Sequence, residues 1–404
     1  MIHLAIGSFE IDWGKNDVFT MHGVLFKSSD VTRVAYEYVG ADRKIIIEMR
    51  EGTARSLASV MHRLELLGYT LKSARHEFEA LLISLDLEEP LVTFDMLAEA
   101  LRCVNVEETA ADSHEGYDFG ESFGRRRKLK SVVKDIYGAR YHLDEIMEFL
   151  HPYVILRLLA ENPANLTRNV TWHFADVIAG GWVERDTVMR SLGAARKFLI
   201  VTEGSSDAKI FSHALEILRP DIADFFYFVD MEEGYPFTGT GNLHRFCQGL
   251  VSIRIENRVL IIYDNDAEGS ARFAETSRLR LPPNMRVMQL PSHPSLATCA
   301  CVGPEGVGTA DINGCAAAIE CYLDLGWRTS KPPIVRWTSY HSSGRYQGEL
   351  VDKEVYTRHF LDLRYRQPEY DFMKLEAVLD EIIAQCVGIA ETFRDGYPTP
   401  SSDR

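Results

Sequence analysis

Glu203 and Asp207 stand four residues apart at the end of one apolar run, and Asp264, Asp266 and Glu268 occupy alternate positions at the end of another. Carboxylates two apart on an extended backbone point the same way, so Asp264 and Asp266 can aim at one site while Asn265 faces elsewhere. If the two runs are neighbouring strands, the five acids converge. Hard oxygen donors in that number suit Mg²⁺ or Mn²⁺, with water and phosphate oxygens completing the shell. Without a cation such a cluster repels itself; with one, it can activate water and steady the charge on a phosphate in flight. Taken singly, Asp207 and Glu268 also suit the first turn of a helix, so capping is the other reading of those two.

The elements around these acids follow from periodicity. Phe198 to Thr202 reads as a strand buried on both faces, Glu203 to Asp207 as an acidic turn, and Ala208 to Leu218 as a helix. Further strand patterns run from Phe225 to Val229, Val259 to Tyr263 and Val287 to Leu290. Asp230 ends the first of these, followed by a loop with Gly234, Gly239 and Gly241, and helix patterns at Asn242 to Ile253 and Ala267 to Leu279 separate the strands. This alternation predicts an α/β fold, a mainly parallel sheet with helices on both faces, whose ligands sit at the carboxyl ends of the strands.

Four segments are expected. Residues 1–50 read as β-rich, with runs at Leu4 to Phe9, Val18 to Phe26, Val31 to Val39 and Ile45 to Met49. Residues 51–196 read as helical, including Leu71 to Leu85, Phe94 to Cys103, a resumption at Ser131, Leu143 to Leu159, and Thr167 to Ile178, with 105–130 as a surface connection. Residues 197–325 form the α/β domain, closing with Asp311 as a cap on an Ala-rich helix to Leu323. Residues 326–404 form an extension whose long amphipathic helix, Tyr370 to Phe393, could pair with a second copy or close its own core. The tail from Asp395 to Arg404 is expected to fray.

The stretches Leu199 to Asp207 and Leu260 to Gly269 resemble the TOPRIM domain shared by topoisomerases, bacterial primases and OLD-family nucleases. That resemblance implies a Rossmann-like sheet in which Glu203 acts as general acid or base and metal ligand, Asp264 and Asp266 bind Mg²⁺, and Asp207 and Glu268 support them. Ala310 to Leu323 is similar to the later acidic motif of the nuclease branch. By that likeness Glu320 is the candidate ligand for a second metal and Asp311 the reserve. The alternative is that Asp311 caps the helix and Glu320 lies on its solvated face. The chain has no Gly-x-x-x-x-Gly-Lys-Ser/Thr loop, no Cys₄ ribbon and no long topoisomerase-like second half, which favours a nuclease branch without its own ATPase. The N-terminal region resembles, more faintly, the HEPN/TOPRIM-associated regions of prokaryotic anti-phage proteins. HEPN ribonucleases carry an Arg-His pair on a helix, and Arg168 with His173 fits that spacing. So do Arg55 with His62, Arg286 with His293, and Arg336 with His341. A buried structural histidine between Trp172 and Phe174 is the other reading of His173.

Composition bounds the remainder. The chain has 404 residues, 46% hydrophobic and 25% charged, enough for two or three folded domains. A formal net charge of −15 argues against a surface coated for non-specific nucleic-acid binding. It is compatible with a nuclease, whose metal site needs carboxylates and whose groove can be locally basic. Arg125, Arg126, Arg127, Lys128 and Lys130 form one such local cluster, or a solvated linker. Seven cysteines without a Cys-x-x-Cys pair fit neither a zinc ribbon nor a disulfide framework. No apolar run is long enough to span a membrane and no cationic leader opens the chain, so a cytoplasmic protein is expected. Arg336 to Tyr340 and Tyr346 to Glu349 interleave aromatic and polar groups, which suits base stacking or a packed strand pair around Trp337. Arg336 and Lys353 are the candidate nucleic-acid contacts.

The function these readings favour is a Mg²⁺- or Mn²⁺-dependent phosphodiesterase acting on DNA or RNA, in anti-phage defence by resemblance. A regulatory protein or phage trigger and a second copy of the chain are its expected partners. Two alternatives stand beside it: a ribonuclease centred on Arg168 and His173 with a regulatory TOPRIM part, and a scaffold that binds nucleic acid or a partner without cutting.

Overall fold

The structure is a computed structural model that describes residues 1–7, 9–39, 44–84, 92–107, 129, 132–133, 143–194, 196–229, 240–329, 331–341 and 344–395. The expected surface connection with its basic run, the helix start at Ser131, the glycine loop opening at Asp230 and the tail after Asp395 lie wholly or largely outside those residues. The chain divides into two compact units, Met1–Ala195 and Arg196–Arg404. Among the described residues no helix is long and apolar enough to cross a membrane.

In the N-terminal unit, β1 (Ile2–Ile6) and β2 (Phe9–Gly14) form an antiparallel pair, as do β3 (Val31–Val39) and β4 (Ile45–Ser56). Between the two pairs lies β5 (Asn169–His173), giving the order β2-β1-β5-β4-β3. Alternation selects the faces. Ile2, Leu4 and Ile6 of β1 join Val170 and Trp172 of β5 in the main core, together with Leu57, Val60 and Leu64 of α1 (Leu57–Leu66) and the apolar helix α5 (Pro152–Leu159). Helices α2 (Leu71–Ser84), α3 (Phe94–Cys103), α4 (Leu143–Phe149), α6 (Ala175–Ala179) and α7 (Arg185–Ser191) also belong to this unit.

Three expectations are corrected here. Val18 to Phe26 holds a 3₁₀ turn at Gly23–Leu25 rather than a strand of its own. Thr167 to Ile178 is a strand followed by a short helix, because Val170 and Trp172 alternate into the core while Thr171 and His173 face the other way. The boundary at residue 50 does not divide cores, since β5 completes the sheet begun by residues 1–50 and β4 runs through to Ser56.

The C-terminal unit is α/β, as its pattern predicts. β6 (Phe198–Val201), α8 (Ser205–Leu218), β7 (Phe226–Val229), α9 (Thr240–Ser252), β8 (Arg258–Tyr263), β9 (Asn265–Asp266), α10 (Ala267–Thr276) and β10 (Met285–Gln289) follow in order. The four long strands form an all-parallel sheet in the order β10-β8-β6-β7. Val259, Ile261 and Tyr263 of β8 pack with Leu243, Cys247 and Leu250 of α9 on one face. Leu260 and Ile262 point to the other, where α12 (Met373–Asp395) crosses β8 and β10 beside α8. The α12 stripe of Val378, Leu379, Ile382, Cys386 and Ile389 is thereby buried within its own unit.

The stretch beyond β10 departs from expectation. β11 (Cys299–Gly303), β12 (Gly306–Ala310), β14 (Val335–Tyr340) and β15 (Tyr346–Leu350) build a second sheet in the order β12-β11-β14-β15. A boundary at 325 therefore cuts through one sheet. The helix expected over Asp311 to Leu323 is absent: β13 (Ala316–Ala317) pairs antiparallel with β9, and a 3₁₀ turn spans Ile319–Tyr322. Gly314, at φ +70°, takes the left-handed conformation that breaks the alanine-rich run. After β15 comes α11 (Lys353–Leu361).

Candidate functional site

The chain leaves β6 through α8 to β7 on one side and reaches β8 on the other, so β6 and β8 flank the point where the winding of the sheet reverses. Loops at the carboxyl ends of such strands diverge and leave a crevice. Glu203 follows β6 and Asp264 follows β8. They are joined directly: the Asp264 backbone N–H donates to Glu203 Oε1 at 3.0 Å. Asp207 lies buried in the first turn of α8, where the Gly204 N–H donates to its Oδ2 at 3.2 Å and the Ser206 hydroxyl to its Oδ1 at 3.2 Å. Asp207 thus caps α8, and it also faces the other acids.

Asp266 holds the start of α10 by accepting the Gly269 N–H at 2.6 Å. Its other oxygen accepts Nε2 of Gln347 at 2.6 Å, while Gln347 Oε1 takes the Glu268 N–H at 3.0 Å. One amide from β15 therefore sets both the Asp266 carboxylate and the backbone carrying Glu268, an exposed residue. Between the two aspartates, Asn265 is buried and faces away, as its odd position requires. Its Oδ1 accepts the Gly314 N–H at 3.0 Å, and its amide lies 3.4 Å from the Tyr322 hydroxyl. That knot fixes the segment carrying Glu320.

Electrostatics tie these groups together. Burial, then the carboxylates of Asp207, Glu203, Asp266 and Glu320, push Asp264 well above the usual carboxylate range. Burial, followed by the charges of Asp266, Asp207 and Glu268, lifts Glu203 to about 8. Burial and Glu320 lift Asp207 to about 7, with Lys353 acting in the opposite direction. Burial also raises Asp266. Glu320 is buried in its 3₁₀ turn rather than lying on a solvated helix face. Lys353 opens α11, where Asp352, at φ +56°, turns the chain out of β15, and its charge acts on Asp207.

The remaining candidates sit elsewhere. Asp311 is exposed and accepts the backbone N–H and the side-chain amide of Asn313, at 2.9 and 2.7 Å. Arg336 is exposed on β14. In the N-terminal unit, Arg168 is ion-paired to Glu107 ahead of β5, whereas His173 ends that strand. At about 3.3 Å per residue, five residues place them roughly 17 Å apart along an extended chain, too far to share one phosphate. His173 is buried, stacked on His3 with centroids 4.0 Å apart, and bonded through Nε2 to the Ala35 carbonyl at 3.1 Å. The helix-borne Arg-His pair is thus replaced by a strand-borne histidine in a packed layer.

Among the described residues, no three His, Cys, Asp or Glu side chains form a ready-made ion-binding group. The donor set itself suits a hard divalent cation: the Asp264 carboxylate has no hydrogen-bond partner among the described residues, and neither Asp264 nor Glu203 is closed off from solvent. Gln347 escaped detection because nothing local marks a glutamine some eighty residues from its partner. Its only signal is its place in a polar-aromatic run.

Comparison with known proteins bears on the other unit. No curated protein and no solved structure matches the chain. Residues 1–196 match the family model described as HEPN/Toprim N-terminal domain 1, a stretch that coincides with the N-terminal unit to within one residue. That match associates the chain with HEPN/Toprim proteins and with nuclease-related function.

Proposed function

We propose that the protein is a divalent-metal-dependent phosphodiesterase acting on nucleic acid, with its site at the carboxyl ends of β6 and β8. Glu203, Asp264 and Asp266 would hold Mg²⁺ or Mn²⁺, with Asp207 and Glu320 as supporting acids. The observation that carries this reading is the Asp264 N–H to Glu203 bond, which ties the Glu203 carboxylate to the Asp264 backbone at the switch point, where the charges of neighbouring acids raise the proton affinity of both. Five converging carboxylates serve no packing purpose, and a bound cation offsets the repulsion they otherwise sustain. Bound there, such an ion supplies an acidified water and charge neutralisation on the phosphate.

The protein's own groups provide the rest. Glu203, whose proton affinity burial and its acidic neighbours raise in the metal-free fold, is the group placed at the strand end to exchange a proton. Gln347 orients Asp266 through one oxygen, and Lys353 offers the positive charge that a phosphate oxygen requires. The HEPN/Toprim match and the resemblance to anti-phage proteins support a role as a defence effector.

The test is cleavage of plasmid, single-stranded DNA and total tRNA with Mg²⁺, with Mn²⁺ and with EDTA, by wild type and by the Asp264→Ala/Asp266→Ala variant. Metal-dependent cleavage lost in the variant is the expected result. Full activity in the variant, or undiminished activity in EDTA, would sink the assignment.

A further inference from the structure

We propose that the β14–β15 hairpin is a docking surface for an unpaired polynucleotide strand, with Trp337, Tyr340 and Tyr346 stacking on bases and Arg345 holding a phosphate at the rim of the carboxylate site. This rests on the phosphodiesterase reading and names the form of substrate it takes.

Register creates the platform. Trp337 pairs with Gly348 and Tyr340 with Tyr346, and the register shift between Trp337 and Ser339 puts all three rings on one face. The Trp337 and Tyr346 centroids are 5.6 Å apart, and those of Tyr340 and Tyr346 5.2 Å. The row is held rigid. The indole lies so close over Gly303 and Gly348 that a Cβ at either would meet it at 2.7 or 2.8 Å, and the Tyr340 hydroxyl donates to the Gly344 carbonyl at 3.0 Å. Yet Tyr340 is 66% and Tyr346 41% exposed. Large rings fixed in place and left in water offer π-faces to a ligand at little entropic cost.

The hairpin is also tied to the chemistry. The residue after Tyr346 is Gln347, which turns to the other face of β15 and there holds Asp266 at 2.6 Å, so one strand carries the rings on one side and the amide of the acid site on the other. The residue before it is Arg345, exposed and without a carboxylate partner among the described residues. Its Nη1 lies 2.6 Å from where a Cβ on Gly314 would stand, and Gly314 is bonded to Asn265 between the two aspartates. A guanidinium at the edge of an acidic site, joined to none of its carboxylates, is disposed to take a phosphate oxygen. A duplex hides the faces of its bases, whereas an unpaired strand presents them, so the rings select the unpaired form. At a net charge of −15 the whole molecule cannot draw polynucleotide by long-range attraction, and affinity must come from local contacts of this kind.

The experiment is fluorescence anisotropy on the full chain in EDTA, where cleavage is not supported. The probes are a labelled twelve-nucleotide DNA, the RNA of the same sequence, and the blunt duplex. The unpaired strands should bind at least about tenfold tighter than the duplex. Tyr340→Ala/Tyr346→Ala should weaken that binding by about tenfold or more, while Tyr340→Phe/Tyr346→Phe stays within about twofold. Arg345→Gln should lower the slope of log affinity against log salt by about 0.7, the value for one phosphate contact on a single strand. Both tyrosines are solvent-facing, and matching far-UV circular dichroism checks the fold of each variant. Ring-dependent binding of either the DNA or the RNA strand supports the proposal, and the tighter arm names the sugar. Equal affinity for duplex, or affinity indifferent to the rings, overturns it. Because binding is read without turnover, a chain that binds this way but cuts nothing refutes only the phosphodiesterase reading. One that cuts duplex and unpaired strands alike without needing the rings refutes only this one.

Discussion

Asp264 is the side chain at which stability and function oppose each other. Its carboxylate faces four others and accepts no hydrogen bond among the described residues, so keeping it ionised costs the metal-free fold. Asp264→Asn removes that charge at nearly constant shape. The variant should melt at a higher temperature than wild type in EDTA yet gain nothing from Mn²⁺; differential scanning calorimetry with and without the ion reads both effects, and a lower melting temperature in EDTA would contradict the account. Gln347 works on Asp266 through one charge-assisted hydrogen bond, a class worth about 1.5–3 kcal/mol. Gln347→Ala should therefore weaken Mn²⁺ binding by about tenfold or more in isothermal titration; unchanged affinity would remove Gln347 from the site. The acids themselves were legible in the sequence, because alternation on a strand and a turn after an apolar run are local signals. Gln347, Arg345 and the placement of Lys353 were not, since a hairpin folded back from far along the chain brings them in.

At the scale of elements, the junction of β8 with α10 decides whether the acids converge. Gly269 passes so close to that strand that a Cβ there would stand 2.3 Å from the Asp264 carbonyl oxygen. Backbone cannot yield as a side-chain tip can. Gly269→Ala should destabilise the C-terminal unit by about 1–3 kcal/mol and abolish metal-dependent cleavage; urea unfolding and a cleavage assay test the pair, and wild-type activity would show that the junction tolerates displacement. The parallel sheet was readable for the same reason as its acids: buried strands and amphipathic helices alternate cleanly. Two other elements misled. An acid before alanines has the local signature of a capped helix, but Gly314 and the pairing of Ala316 with Asp266 outweigh alanine's propensity. Val170 and Trp172 carry a two-residue alternation too short to stand out among the helical segments before it. It becomes decisive only when β1 and β4 supply partners on both sides.

For the whole molecule, the concentration of acids makes the C-terminal unit sensitive to pH in a definite direction. Glu203 and Asp207 have folded-state values raised to about 8 and about 7 from ordinary values of 4.5 and 3.8. A group whose value is raised on folding stabilises the protein fully below its unfolded value, and that contribution is lost as pH rises through the folded one. In EDTA the C-terminal unit should therefore lose stability between about pH 4 and pH 8. Amide exchange along urea gradients at pH 5.5 and 8.0 resolves that unit from the N-terminal one, and higher C-terminal stability at pH 8.0 in EDTA would contradict the electrostatic picture. A saturating divalent ion should reverse the loss, because binding at a hundred times the dissociation constant adds about 2.7 kcal/mol.

The most direct test of the central claim is a titration of the full chain with Mn²⁺, followed by electron paramagnetic resonance of the free ion, for wild type and Asp264→Ala. Wild type should take up Mn²⁺ with a defined stoichiometry, and the variant should lose the tightest site. Equal uptake by the two proteins, or none by either, would contradict a metal centre built on Glu203, Asp264 and Asp266.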